Sequence, residues 1–219
     1  MRSFLRGLLY PAMLAALYGA FVFAPREREM GEVQRIFYFH LSAAWLCMLA
    51  FFVLLVFSIV YLATGNRRYD VWAASSAEIG VIFATLVLIT GPLWAKPVWN
   101  TWWTWDPRLT TFLILWLIYA AYLLLRANMA ESDKKYKIAA VFGILGFIDV
   151  PIVFMSIRWW RTIHPLVIES PLKMNLDPRM ETALWVALAA FTLLYAVMLD
   201  LRIRQQWLDY EISLRTAEL

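Results

Sequence analysis

The sequence predicts an all-α, polytopic integral membrane protein with six transmembrane helices. Of its 219 residues, 63% are hydrophobic and only 16% are charged, against roughly 45–50% and about 25% in soluble domains. A soluble core of this size would need more polar residues to cover its surface. The mean hydropathy is +0.64. The apolar residues fall into six blocks, near the length of about 20 residues that a bilayer-crossing helix needs. Each block is apolar all round, as contact with lipid requires. The same composition excludes disordered, collagen-like and disulfide-framework chains.

The first block, Phe4–Ala24, follows Arg2 and Arg6 in the manner of a secretory signal. It is long for one, and cleavage after Ala24 would put Pro25 at the first mature position, so it is expected to stay as a span. The others are Phe37–Thr64, Val71–Trp94, Leu109–Leu125, Ile138–Ile157 and Thr182–Leu201. Charges and turn residues cluster in the breaks, Pro25 to Arg35, Gly65 to Asp70, Ala95 to Arg108, Arg126 to Lys137, and Arg158 to Glu181. The polar tail from Arg202 to Leu219 is expected to be a short surface helix or a frayed end. No internal repeat or low-complexity stretch interrupts a single membrane domain over residues 1–219.

An even number of spans puts both termini on one side. That side carries eleven Lys and Arg, and the opposite side nine. The positive-inside rule thus places the termini in the cytoplasm by a narrow margin, and Arg2 and Arg6 ahead of the first span, against Glu27, Glu29 and Glu32 after it, point the same way. His40 opens the second span, a tryptophan-rich loop (about residues 94–108) follows the third, and His164 lies in the loop after the fifth (about 158–181). All three therefore face one side, expected to be the outer one.

That loop carries Trp94, Trp99, Trp102, Trp103 and Trp105, five of the chain's 12 tryptophans. An interfacial aromatic belt accounts for one or two. It does not require five in one loop, with Pro97, Asp106, Pro107 and Arg108 among them. A platform of flat apolar faces for a planar aromatic ligand does. His40 and His164 are the only two histidines. Each has arginine and aromatics close by: Arg35 and Phe39 for the first, Trp159, Trp160 and Arg161 for the second. Either could be a hydrogen-bonded structural histidine, but their shared side favours a common ligand. Pro165 biases His164 towards extended backbone. Two imidazoles, flat apolar faces and arginines suit haem, through its iron, ring and propionates. Zinc fits less well, because a site needs three or four ligands and the platform would have no role. Cys47 is the single cysteine, so no intrachain disulfide or C-x-x-C-H haem attachment exists. The net charge of +4 is spread over short loops and forms no nucleic-acid patch. Glu78 and Asp149 lie inside spans, where carboxylates are costly and default to a functional role; a packing role or a partner contact is the alternative.

The run from Trp94 to Thr110, WAKPVWNTWWTWDPRLT, resembles the tryptophan-rich (WWD) signature of the haem-handling membrane proteins of cytochrome c maturation. RIFYFH before the second span and RWWRTIHP after the fifth, with the span count and chain length, resemble the CcmC type. Ala95 and Asn100 depart, standing where that family commonly has glycine. The resemblance implies an inner-membrane protein that presents haem b on the periplasmic face and delivers it to a CcmE-type haem chaperone, with no catalysis of its own. It implies partnership with CcmA-type and CcmB-type ABC transporter subunits and a small CcmD-type subunit. It makes His40 and His164 the axial ligands. Trp94, Trp99, Trp102, Trp103, Trp105 and Asp106 become the platform, and Arg35 and Arg108 the charged contacts. The chain has no G-x-x-x-x-G-K-S/T run for ATP. A cytochrome b-like electron-transfer subunit and a proton-coupled permease using Glu78 and Asp149 are the alternatives.

Overall fold

A computed structural model describes residues 2–162, 164, 168–170, 173–174 and 176–217. Six helical spans are long and apolar enough to cross a membrane: Ser3–Phe23, Glu32–Thr64, Arg67–Trp99, Pro107–Asn128, Asp133–Trp159 and Pro178–Ile212. They are built from α1 (Arg2–Tyr18), α2 (Ile36–Thr64), α3 (Arg67–Trp99), α4 (Pro107–Asn128), α5 (Asp133–Gly146), α6 (Asp149–Trp159) and α7 (Pro178–Ala217). A wider turn, Gly19–Phe23, extends α1, and a tight turn, Glu32–Arg35, leads into α2.

The longest packed seam joins α2 and α3, an antiparallel hairpin closed by two residues. Gly65 ends α2 with φ 66°, a conformation that suits glycine, and the Asn66 side chain caps α3 by accepting from the Arg68 amide at 3.0 Å. Farther along, Gly80 lets the helices touch: a Cβ there would lie 2.6 Å from Cε1 of Phe51. Phe51 is itself stacked on Tyr119 of α4, with ring centroids 3.7 Å apart. Ser76 donates to the Ala50 carbonyl or shares its proton with Tyr195, at 2.6 and 2.7 Å, tying α3 to α2 and α7. This core is Ala-, Leu- and aromatic-rich. Outward-facing Phe, Leu, Ile and Trp side chains remain exposed on every span, as a lipid-facing surface demands.

Three elements differ from expectation. The third span runs on to Trp99, so Trp94 and Trp99 are helical although Pro92 and Pro97 lie within the helix; close-packed membrane helices tolerate such prolines. The fifth span is two helices, broken at Phe147 and Ile148. Pro151 cannot donate to the carbonyl four residues back, which is that of Phe147, and the helix breaks there. The expected surface helix or frayed tail is instead the uninterrupted end of α7, 40 residues long. Side-chain ties hold it. Arg6 meets Asp200 at 3.5 Å, and Glu78 is gripped by Arg202 through Nε and, at 3.1 Å, through Nη2, with Gln206 at 3.2 Å. Within the expected loop after the fifth span, β1 (Ile168–Ser170) and β2 (Lys173–Met174) pair antiparallel.

At the end of the bundle holding the termini, Asp70 is 2% exposed. It receives both terminal nitrogens of Arg126, at 2.7 and 2.9 Å, and one from Arg67. This buried fork joins α3 to α4.

Candidate functional site

The opposite end holds a narrow, mostly apolar cavity that opens to the surface. Its walls come from one face of α3 (Val87, Gly91, Trp94, Ala95), the first turns of α2 and α4, and the short segment between α3 and α4. His40, His164, Trp94, Trp99, Trp103 and Arg108 all line it. A second, wider recess shares His40, Ala44, Trp94, Arg108 and His164, and runs between α6 and α7 past Trp45, Phe154 and Trp185. The five shared residues form the partition between the two spaces.

Each position has a local cause. His40 is on the second turn of α2 and only 9% exposed. Its Nδ1 lies 2.8 Å from Thr90 Oγ1 on α3, which leaves Nε2 for a ligand. Trp94 stands edge-on to it, with centroids 6.0 Å apart, and tilts against Trp99 at 6.1 Å. The indole Nε1 atoms of Trp94 and Trp103 are buried without a hydrogen-bond partner, donors that a bound acceptor would satisfy. Arg108 is anchored by donating from Nη1 to the Val153 carbonyl of α6. His164 lies in a bend, its amide donating to Thr162 Oγ1 at 3.1 Å; Pro165 lies outside the described residues.

Four of the named residues stand elsewhere. Asp106 does not line the cavity: its Oδ1 accepts from the Leu109 amide at 3.1 Å, capping α4, and its Oδ2 accepts from Thr104 at 3.1 Å. That cap starts α4 immediately before Arg108, so Asp106 acts on the site through the backbone. Arg35 is bound to the Ala20 carbonyl and to Glu32, clamping the turn after α1 onto the start of α2, away from the cavity. Trp102 and Trp105 are 56% and 75% exposed and line neither space. Of the two acids within spans, Glu78 lies in a separate charged hollow at the other end, with Arg67, Arg126 and Gln206. Asp149 sits at the α5–α6 break with Oδ2 buried and unpartnered, and lines neither site cavity. Among the described residues, no three His, Cys, Asp or Glu side chains converge as a metal site would need.

Several wall residues escaped the sequence reading. Gly91, Ala44 and Phe112 carry no motif of their own, and neither does Thr90, which stands behind His40. Val87, Gly91 and Trp94 nonetheless share helical spacing within the expected third span, Val71–Trp94, so that period was legible in the sequence.

A family profile described as "Heme exporter protein C" matches residues 2–218. The chain belongs to that family. A "Heme exporter protein C" from Bradyrhizobium diazoefficiens is 35% identical over 176 residues, covering 80% of this chain and 67% of the relative. The protein of the same name from Escherichia coli is 31% identical over 184 residues, covering 84% and 74%. A "Putative cytochrome c biosynthesis ccmC-like mitochondrial protein" from Marchantia polymorpha is 32% identical over 195 residues, covering 89% and 83%. Similarity to this exporter family thus runs through the spans and the cavity walls alike.

Proposed function

We propose that this chain carries haem as its substrate during cytochrome c maturation, holding haem b at the outer end of the bundle and handing it to a CcmE-type chaperone. The observation that carries this is the convergence of His40 and His164 on one apolar cavity with Trp94, Trp99, Trp103 and Arg108. The donor set suits the cargo. Imidazoles offer nitrogens for the iron, indoles offer flat faces for the ring, and a guanidinium matches a propionate. Trp94 and Trp103 add buried N–H donors in search of acceptors.

In this mechanism His40 and His164 would hold the haem iron through ring nitrogens, and Thr90 holds His40 in place. Trp94, Trp99 and Trp103 exclude water from the ring faces and Arg108 fixes the polar edge. The exposed indoles of Trp102 and Trp105 are where the chaperone would dock. The end bearing the cavity is assigned to the periplasm and the termini to the cytoplasm of the inner membrane, in keeping with the charge count. ABC transporter subunits of CcmA and CcmB type, with a CcmD-type subunit, would drive the release of the loaded chaperone, since this chain carries no nucleotide-binding loop.

The visible spectrum of the purified complex and covalent loading of the chaperone test this. His40→Ala and His164→Ala should each change the haem spectrum and reduce loading. Trp102→Ala with Trp105→Ala should keep the spectrum and lose loading. Wild-type spectra and full loading in both histidine variants would remove the axial-ligand assignment.

A further inference from the structure

Thr90 sits four residues before Trp94 on α3 and touches His40 across the α2–α3 seam. Its Oγ1 has three polar neighbours: the Leu86 carbonyl at 2.7 Å, the Val87 carbonyl at 3.5 Å and His40 Nδ1 at 2.8 Å. The hydroxyl owns one proton, and the carbonyls can only accept. If that proton turned to His40, the hydroxyl and Leu86 oxygens would face each other at 2.7 Å with nothing between them. The proton therefore goes to Leu86, as it commonly does for a threonine within a helix, and Oγ1 is left as an acceptor. Nδ1 must then carry the imidazole hydrogen. The neutral ring is fixed with its hydrogen on Nδ1 and its lone pair on Nε2.

Position is fixed by the same contact. The ring is held by Thr90 on one side and has Trp94 edge-on at 6.0 Å. It also passes close enough to Gly91 that a Cβ there would meet Cε1 at 3.5 Å. Thr90 is the only hydrogen-bond partner of His40 among the described residues.

We propose that Thr90 is a positioning residue for ligand binding: by accepting from Nδ1 it selects the tautomer and angle of His40 that present Nε2 to the iron of haem. This rests on the axial role of His40 proposed above. The hydrogen bond makes Nε2 a better electron donor, as outer partners of ligating histidines do, and losing such a partner typically costs about 10–100-fold in affinity. Neither WWD nor either histidine motif contains Thr90.

The test uses the full-length protein in nanodiscs, titrated with ferric haem b and followed at the Soret band, with the midpoint potential measured on the bound form. Thr90→Val keeps the shape and removes the acceptor, and Thr90→Ser restores it. The expected result is a haem Kd raised roughly 10–100-fold for Thr90→Val and a midpoint potential moved upward, because a poorer donor stabilises ferric iron less. Thr90→Ser should stay within about twofold of wild type. Thr90→Ala replaces Thr90→Val should the latter fail to fold. Wild-type affinity and potential in a folded variant without the hydroxyl would overturn the proposal. His40→Ala separates the two ideas. If it binds haem weakly while Thr90→Val binds normally, only the role of Thr90 falls; if it binds haem as wild type does, the axial assignment falls and takes this proposal with it.

Discussion

Asn100 ends α3 with φ 54°, the only positive φ outside glycine among the described residues. Left-handed backbone favours glycine, and asparagine is the side chain that best tolerates it. Here Lys96 also holds it, donating to Asn100 Oδ1 at 2.8 Å. The departure from glycine is thereby accommodated, and the chain still turns sharply enough to bring Trp103 back over the cavity. Asn100→Gly should leave the thermal midpoint in detergent nearly unchanged. Asn100→Val should lower stability by about 1–2 kcal/mol, because a β-branched residue resists this conformation. Residue chemistry also marks the limit of what sequence shows. His40, His164 and the tryptophans are rare or clustered types, so they stood out, and Trp94, Trp99 and Trp103 do meet both histidines. Asp106 and Arg35 stood out equally, yet each is held by one backbone group and one nearby side chain, partners that only folding supplies. Thr90 was silent because its role depends on a proton shared across two helices.

At the scale of elements, the α2–α3 hairpin sets the distance between the wall that bears His40 and the wall that bears Trp94. Gly80 keeps that distance small, and Phe51 cannot retreat because Tyr119 is stacked behind it. Gly80→Ala should therefore destabilise the fold by about 1–3 kcal/mol, as overpacking does, and Phe51→Leu in the same chain should recover part of the loss; thermal unfolding of the three variants checks this. Span existence was legible from hydropathy alone because each block is apolar throughout. Boundaries were not: the third span runs past its expected end at Trp94, through Pro97, to Trp99, whereas Pro151 in the fifth span did break the helix, three to four residues upstream of itself. The same residue type gave opposite outcomes because packing, absent from the sequence, decides whether a lost hydrogen bond is made good.

At the scale of the whole molecule, the two ends are chemically distinct. One is an aromatic cavity with two imidazoles, and the other a lattice of ion pairs. Counting spans was enough to place both histidines at one end, since each crossing reverses direction. Pairings at the other end could not be counted out. Glu78, which a permease would need free, is held by Arg202 and Gln206. Asp70, given no role by the sequence reading, is the most deeply buried charge among the described residues. Asp70→Ala should cost about 3–5 kcal/mol, the usual consequence of stranding a buried partner such as Arg126. Thermal unfolding would show the loss, while the haem spectrum of the surviving folded protein should match wild type.

α7 gives the molecule a mechanical property that neither end has by itself. Trp185 borders the recess beside the histidines, and Gln206 lines the charged hollow at the other end. The two are about 32 Å apart along one helix at 1.5 Å per residue. Between them the chain has no glycine and no proline, so the helix has no joint at which to bend. It behaves as a push-rod: a tilt imposed on the Arg202–Gln206 end must arrive as a displacement of the wall beside His40.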